Sequence, residues 1–195
     1  MKILVGTQNP GKQVEMVAIL AELGLDLVLP QDIGLALDVV ENGQTYAQNA
    51  ELKARAFCAA SGLPCLADDS GLEVDALDGA PGLYSARYSP APGASDADRR
   101  RLLVSRLAGL PHPWTARFRA TVCLMTPGGE PRFAEGQCEG EIIPEERGSN
   151  GFGYDAIFLV AGTGLTMAEL SDAEKNRISH RARALHGITA IFPRA

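Results

Sequence analysis

The chain has 195 residues, 46% of them hydrophobic and 22% charged, enough for one substantial core or two packed lobes but not for two large independent domains. Its formal net charge of −6 argues against a broad nucleic-acid footprint, which needs surplus Lys and Arg, and favours a small polyanion held by a few converging cations. Cys58, Cys65, Cys123 and Cys138 lack CxxC spacing, and only three histidines are present, so free thiols are expected rather than a zinc site or disulfide framework.

Residues 2–6, KILVG, are an apolar run too short for a signal peptide or membrane span, and read as a buried strand of a cytoplasmic protein. A polar loop, TQNPGK, precedes a helix whose periodicity runs through Val14, Val17, Ile19 or Leu20, and Leu23, ending at Gly24. A strand follows at 26–29. A second helix is expected from Thr45, a good N-cap, to Ala60, with Gly62 and Pro64 ending it. Residues 64–67 form a short strand entering Asp68-Asp69-Ser70-Gly71, and another strand, LEVDAL, ends at the turn of 78–82. A loop at 89–98 leads to a helix near 97–108 carrying Arg99, Arg100 and Arg101. Strands at 116–125 and 132–138 flank a ProGlyGlyGlu turn, the clearest hairpin signal in the chain. After the Gly-rich GSNGFGYDAIFLV, one last helix is expected from the capping box Ser171-Asp-Ala-Glu174 to about Leu185. Without repeats or linkers, residues 1–195 read as a single α/β domain with two lobes around a cleft.

Several groups have residue types suited to phosphate chemistry. Thr7-x-Asn9-x-x-Lys12 lies where a strand hands over to a helix, and amides at a helix start favour an anion. It is neither a Walker A loop nor a dinucleotide fingerprint, and a plain polar turn with Pro10 starting the helix explains the same residues. Adjacent Asp68 and Asp69 repel each other unless a cation offsets the charge; magnesium takes one or two carboxylates together with phosphate oxygens. One carboxylate can also accept a proton from water, whereas an Asp-rich turn is the plainer alternative. Glu41, before Asn42-Gly43, is a further acidic candidate. Asn49 and Lys53, four apart, share a helix face, and Lys53 suits either phosphate or solvent. Phe152 and Tyr154, bracketed by glycines, suit base stacking or a strand bulge. Lys175, His180 and Arg181 form a cationic set that also reads as a solvated helix face.

The order of these segments resembles the inosine triphosphate pyrophosphatase family, the XTP/dITP diphosphatases, over almost the whole chain. The resemblance is carried by TQNPGK at 7–12, ENGQTYAQNAELKARA at 41–56 and LADDSGLEVDALDGAPGLYSARYS at 66–89, then by GFGYDAIF at 151–158 and MAELSDAEKNRISHRARAL at 167–185. It implies two lobes around a long mixed β-sheet with a central nucleotide-binding cleft, and commonly a homodimer. It also implies magnesium-dependent hydrolysis of non-standard purine nucleoside triphosphates (ITP, dITP, XTP) to monophosphate and pyrophosphate.

By the same resemblance, Asp69 is the catalytic base and a magnesium ligand, and Glu41 the second acidic metal position; Asp68 is either a further metal ligand or a partner that raises the basicity of Asp69. Thr7, Gln8, Asn9, Pro10, Gly11, Lys12, Lys53 and Ser70 would hold the triphosphate. Phe152, Gly153, Tyr154, Asp155, Lys175, His180 and Arg181 would hold the base. Gln8 stands where glycine is usual in that family. A Maf-type pyrophosphatase is the rival enzyme, opposed by the SHR and GFGYD blocks. A non-hydrolysing nucleotide sensor has no need of a base beside Lys12. A haloacid-dehalogenase-like phosphatase would carry DxD near the first strand, where this chain has GTQN. No polynucleotide or membrane partner is expected.

Overall fold

The computed structural model describes residues 2–22 and 24–189, so Leu23 of the predicted first helix lies outside the described residues. The elements are β1 (Lys2–Val5), α1 (Pro10–Ala21), β2 (Asp26–Val28), α2 (Tyr46–Ser61), β3 (Cys65–Val74) and α3 (Asp96–Leu107), then β4 (Trp114–Met125), β5 (Arg132–Ile142), β6 (Phe158–Val160), α4 (Asp172–Ile178) and α5 (His180–Thr189). The strands join one sheet in the order β2-β1-β3-β4-β5-β6. β1 pairs in parallel with β2 and β3, and β5 pairs antiparallel with β6, so the sheet is mixed and the α/β class is as expected. The chain divides into two compact units, the first comprising 1–69, 120–136 and 180–195, the second 70–119 and 137–179.

In the first unit the parallel strands are covered on both faces, which is why Ile3, Leu4 and Val5 are apolar and buried in succession rather than alternating. Ile3, Val5 and Leu66 pack against Met16, Ile19 and Leu20 of α1 and Ala182, Leu185 and Ile188 of α5. Leu4, Cys65 and Ala67 point the other way, onto Ala50, Ala54 and Phe57 of α2. Each fully buried Leu or Ile contributes about 1.5–3 kcal/mol relative to exposure. α2 is bounded as its sequence predicts, with Thr45 Oγ1 accepting from the Gln48 amide and Gly62 closing the helix at φ 69°.

The second unit has a single core, in which Leu72, Val74, Trp114, Ala116, Phe118 and Ile142 pack against Leu103 and Leu107 of α3. The other face of these strands is charged: Arg117 pairs with Asp75 at 2.6 Å and approaches Glu139 and Glu73. β4 shows the difference in its sequence. TARFR alternates buried residues with exposed or half-buried ones in the second unit, whereas ATVCLM is buried at every position in the first.

Four expectations give way. The acidic pair is not in a turn ending a short strand; β3 continues through Asp68–Gly71 to Val74, because lysine and arginine partners compensate the buried carboxylate of Asp68. LEVDAL is therefore no separate strand. The single last helix is two, broken at Ser179, whose extended ψ of 156° ends α4 before α5 begins. Val14 is exposed and Glu15 is buried, since α1 turns Glu15 toward Arg181. The capping box at Ser171 forms as read: Glu174 accepts from the Ser171 amide at 2.8 Å, and Ser171 Oγ accepts from the Glu174 amide at 3.3 Å. All four cysteines are buried thiols outside any disulfide.

Candidate active site

Asp68 and Asp69 are neighbours on a strand, so their side chains leave on opposite faces. Asp68 shares the face of Leu66, beneath α1 and α5, and Asp69 that of Ala67, beneath α2. This alternation gives two adjacent carboxylates different surroundings.

The Asp68 side chain is fully buried. Its Oδ1 lies 3.1 Å from Lys12 Nζ, and its Oδ2 accepts from Arg181 Nε at 3.0 Å. Arg181, 1% exposed, also donates through Nη1 to Glu15 Oε2. Burial opposes ionisation of Asp68, but the charges of Lys12, Arg181 and Lys53 outweigh it and hold the carboxyl well below the usual range. Burial likewise works against the Arg181 charge, and Asp68 and Glu15 more than restore it. Asp68 is thus ion-paired on both oxygens, with Lys12 and with Arg181. The same network engages Arg181, read from sequence as a base contact, with two carboxylates.

Asp69 stands differently. Its Oδ2 accepts from Asn49 Nδ2 at 3.0 Å, and its Oδ1 is 3.6 Å from Lys53 Nζ. Burial raises its pKa; Lys53, Lys12 and the Asn49 bond pull it down without cancelling the shift. Lys53 Nζ also contacts Glu41 Oε2 at 2.5 Å, so one ammonium serves two carboxylates. Asn49 Oδ1 accepts from the Gly43 amide at 2.8 Å, linking Asp69 to the loop that carries Glu41. A Cβ at Gly43 would stand 2.7 Å from that Asn49 oxygen, so only glycine fits there unshifted.

The loop of 7–12 is braced before α1. Asn9 is the N-cap, its Oδ1 accepting from the Lys12 amide at 3.1 Å, and Pro10 opens the first turn, leaving Gly11 behind it. Thr7 is buried; its Oγ1 accepts from the Asn9 amide, and its carbonyl accepts from Gln13 Nε2 at 2.8 Å. The Gln8 carboxamide, oriented with nitrogen toward the carbonyl, pairs with both the N–H and C=O of Leu37 at 3.1 Å. No acidic residue occupies the first turn of α1, so its N-terminal dipole remains suited to an anion.

In the second unit the Gly-rich segment forms its own cluster. Asp155 is buried and its Oδ2 accepts from Lys175 Nζ at 2.6 Å and from the Phe152 amide at 2.9 Å. Lys175 Nζ lies 5.2 Å from the centroid of the Phe152 ring, within cation–π range. Gly151 has φ 75°, and a Cβ there would overlap Asp155 Oδ2 and stand 2.8 Å from Lys175 Nζ. Tyr154 packs in the core and donates its hydroxyl to the Ser85 carbonyl at 2.9 Å, so its ring is a structural element, unlike the half-buried Phe152. Half-buried Ser70 opens this unit, directly after Asp69 in the chain.

Thr7, Lys12, Lys53, Glu41, Asp68, Asp69, His180 and Arg181 therefore belong to the first unit. Phe152–Asp155 and Lys175 belong to the second. Sequence reasoning missed the engagement of Asn49 with Asp69, although its spacing to Lys53 hinted at a shared face. It missed Glu15 and Asp96 entirely, and left Arg100 as one of a basic run.

An α/β protein with a lysine-flanked carboxylate beside a helix start built for anions belongs to the nucleotide- and phosphate-handling class. The Ham1 family profile matches residues 3–191, and the chain belongs to that family. It is 47% identical over 188 residues to the dITP/XTP pyrophosphatase of Mannheimia succiniciproducens, covering 94% of each chain. The dITP/XTP pyrophosphatase of Bacillus licheniformis is 43% identical, covering 100% of this chain and 99% of that one. Among solved structures, a HAM1 protein from Coxiella burnetii superposes with TM-score 0.87 at 39% identity over 98% of both chains. The nucleoside-triphosphatase / dITP/XTP pyrophosphatase of Mycobacterium abscessus gives 0.74 at 41% identity, covering 99% of this chain and 98% of that one.

Proposed function

We propose that this chain hydrolyses the triphosphates of inosine, deoxyinosine and xanthosine to nucleoside monophosphate and pyrophosphate. The observation that carries the reading is the pair of adjacent aspartates that leave opposite faces of β3 into different surroundings. Asp68 is paired with Lys12 and Arg181, which hold its pKa down, while Asp69, its pKa raised by burial and its carboxylate bonded by Asn49, suits a general base. Relatives bearing the dITP/XTP pyrophosphatase name at 43–47% identity supply the substrate class.

Magnesium fits part of the acidic set. Asp69 and Glu41 are hard oxygen donors that share one lysine, which leaves a surplus negative charge at Lys53 for a divalent cation. Asp68 fits poorly, because its oxygens already face Lys12 and Arg181. Among the described residues no group of three or more His, Cys, Asp or Glu is arranged to hold a metal unaided. Magnesium customarily completes its shell with water and substrate phosphate, so Asp69 and Glu41 are the two protein ligands proposed. When bound, magnesium would offset charge on the triphosphate and on the leaving pyrophosphate.

The protein's residues then divide the work. Lys12, Lys53 and the amides at the start of α1 hold phosphate oxygens, with Thr7, Asn9 and Ser70 assisting. Asp69 takes a proton from the water that attacks the α-phosphorus. The bond from that phosphorus to the oxygen bridging to the β-phosphate breaks, and pyrophosphate leaves with its electron pair. Phe152 offers a face to the purine, and selectivity calls for a hydrogen-bond donor to its 6-oxo group, which adenine lacks. A site built around such a hydrogen bond discriminates by about 10⁴. Homodimerisation and a cytoplasmic location complete the reading.

Asp69→Asn tests the base directly. Turnover of ITP is expected to fall at least about a thousandfold with nucleotide binding retained. Near-normal turnover would remove Asp69 from that role.

A further inference from the structure

Phe152 is held by its backbone more tightly than a surface loop requires. Its own N–H donates to Asp155 Oδ2 at 2.9 Å. The next N–H, of Gly153, donates to Asp96 Oδ2 at 2.8 Å, and the carbonyl of Gly153 accepts from Arg100 Nη1 at 2.8 Å. Three successive peptide planes, one before Phe152 and two after it, are therefore gripped by side chains. Two of the three grips come from α3, where Asp96 and Arg100 are four residues apart and share a face.

The grips are themselves braced. Arg100 donates through Nε and Nη2 to both oxygens of Glu146, at 2.9 and 2.8 Å, a bidentate pairing that fixes the guanidinium plane. Asp96 also accepts from Arg99. Gly153 has φ 63°, in the left-handed region that glycine adopts without strain.

We infer that Asp96 and Arg100 are positioning residues that set the Phe152 ring for purine stacking, and through it the preference for the base. The inference rests on the reading above that Phe152 stacks on the purine. Both residues act through the Gly153 backbone and touch no reacting atom. Their effect therefore falls on nucleotide binding and base preference, with the chemical step at Asp69 left largely intact.

The test is steady-state kinetics on ITP and ATP for Phe152→Ala, Arg100→Ala, Asp96→Ala and the double variant Arg100→Ala/Phe152→Ala, with Glu146→Ala as control. Circular dichroism of each establishes folding, and Asp96→Ala carries the test if Arg100→Ala does not fold. Phe152→Ala is expected to raise KM for ITP about tenfold. Arg100→Ala and Asp96→Ala should reproduce most of that rise, with kcat within about twofold and a narrower ITP-to-ATP preference. The double variant should be no worse than Phe152→Ala alone, because both act through one ring. Glu146→Ala, which keeps the Gly153 bond but loosens the guanidinium, should raise KM less than Arg100→Ala does. If Phe152→Ala raises KM while Arg100→Ala and Asp96→Ala lower only the melting temperature, the positioning role is overturned. Effects that multiply in the double variant overturn it too. If Phe152→Ala itself leaves KM and preference unchanged, the stacking reading falls and the inference with it.

Discussion

Replacing Arg181 with methionine separates two roles for that residue. Its guanidinium is 1% exposed and bonds both Glu15 and the fully buried Asp68. Arg181→Met leaves Asp68 with Lys12 as its charge partner at 3.1 Å and withdraws the cation from Glu15. Removing one member of a buried ion pair costs about 3–5 kcal/mol, because the remaining charge stays desolvated. For a chain of this length each kcal/mol lowers Tm by about 2–4 °C, so a fall of roughly 6–20 °C is expected. Adding Glu15→Leu should return part of the loss, since two buried charges removed together cost less than one removed alone. Urea titrations with a common m-value, checked by thermal melts, measure both effects. A loss below about 1 kcal/mol, or strictly additive losses in the double variant, would refute the network. A residue that served only as a base contact would instead raise KM with the unfolding midpoint unmoved.

Asn49→Leu should lower kcat by about ten- to a hundredfold by freeing Asp69 and the Gly43 loop, with the Tm change kept as a separate readout; an unchanged kcat in stopped-time product assays would argue against the aiming role. Asp98, in the capping box of α3, has its pKa lowered from 3.8 to about 2 by bonds from the Ser95 side chain and amide and from Arg101. A depressed carboxylate stabilises the fold above the unfolded pKa and loses that contribution as pH falls through the folded one. The Tm difference between wild type and Asp98→Asn should therefore be full at pH 5, shrink as pH falls toward 2 and vanish only below it; a difference that grows on acidification would contradict the cap.

What was legible from sequence follows the range of the interactions. Thr45, Gly62 and the Ser171 box act within three or four residues, and the ends they predict are found. The change in β4 from alternation to continuous apolarity is also local and marks where one covered face becomes two. Contacts spanning long stretches of chain were not legible. Nothing near Glu15 announces Arg181, so Val14 looked like the core residue. Nothing near Asp96 or Arg100 points to Gly153. The Asp68–Asp69 dipeptide read as lying past the end of a short strand, because a buried aspartate in a central strand is reasonable only once Lys12 and Arg181 are known to face it. Ser179 fits a helix by pattern, and its break depends on backbone geometry that periodicity does not carry.

The central claim is tested most directly by identifying products from ITP, XTP, GTP, dTTP and ATP, each with and without magnesium. The account predicts pyrophosphate with IMP or XMP, dependent on magnesium and far faster than with ATP. Orthophosphate released stepwise, or dTTP consumed in preference to ITP, would contradict it.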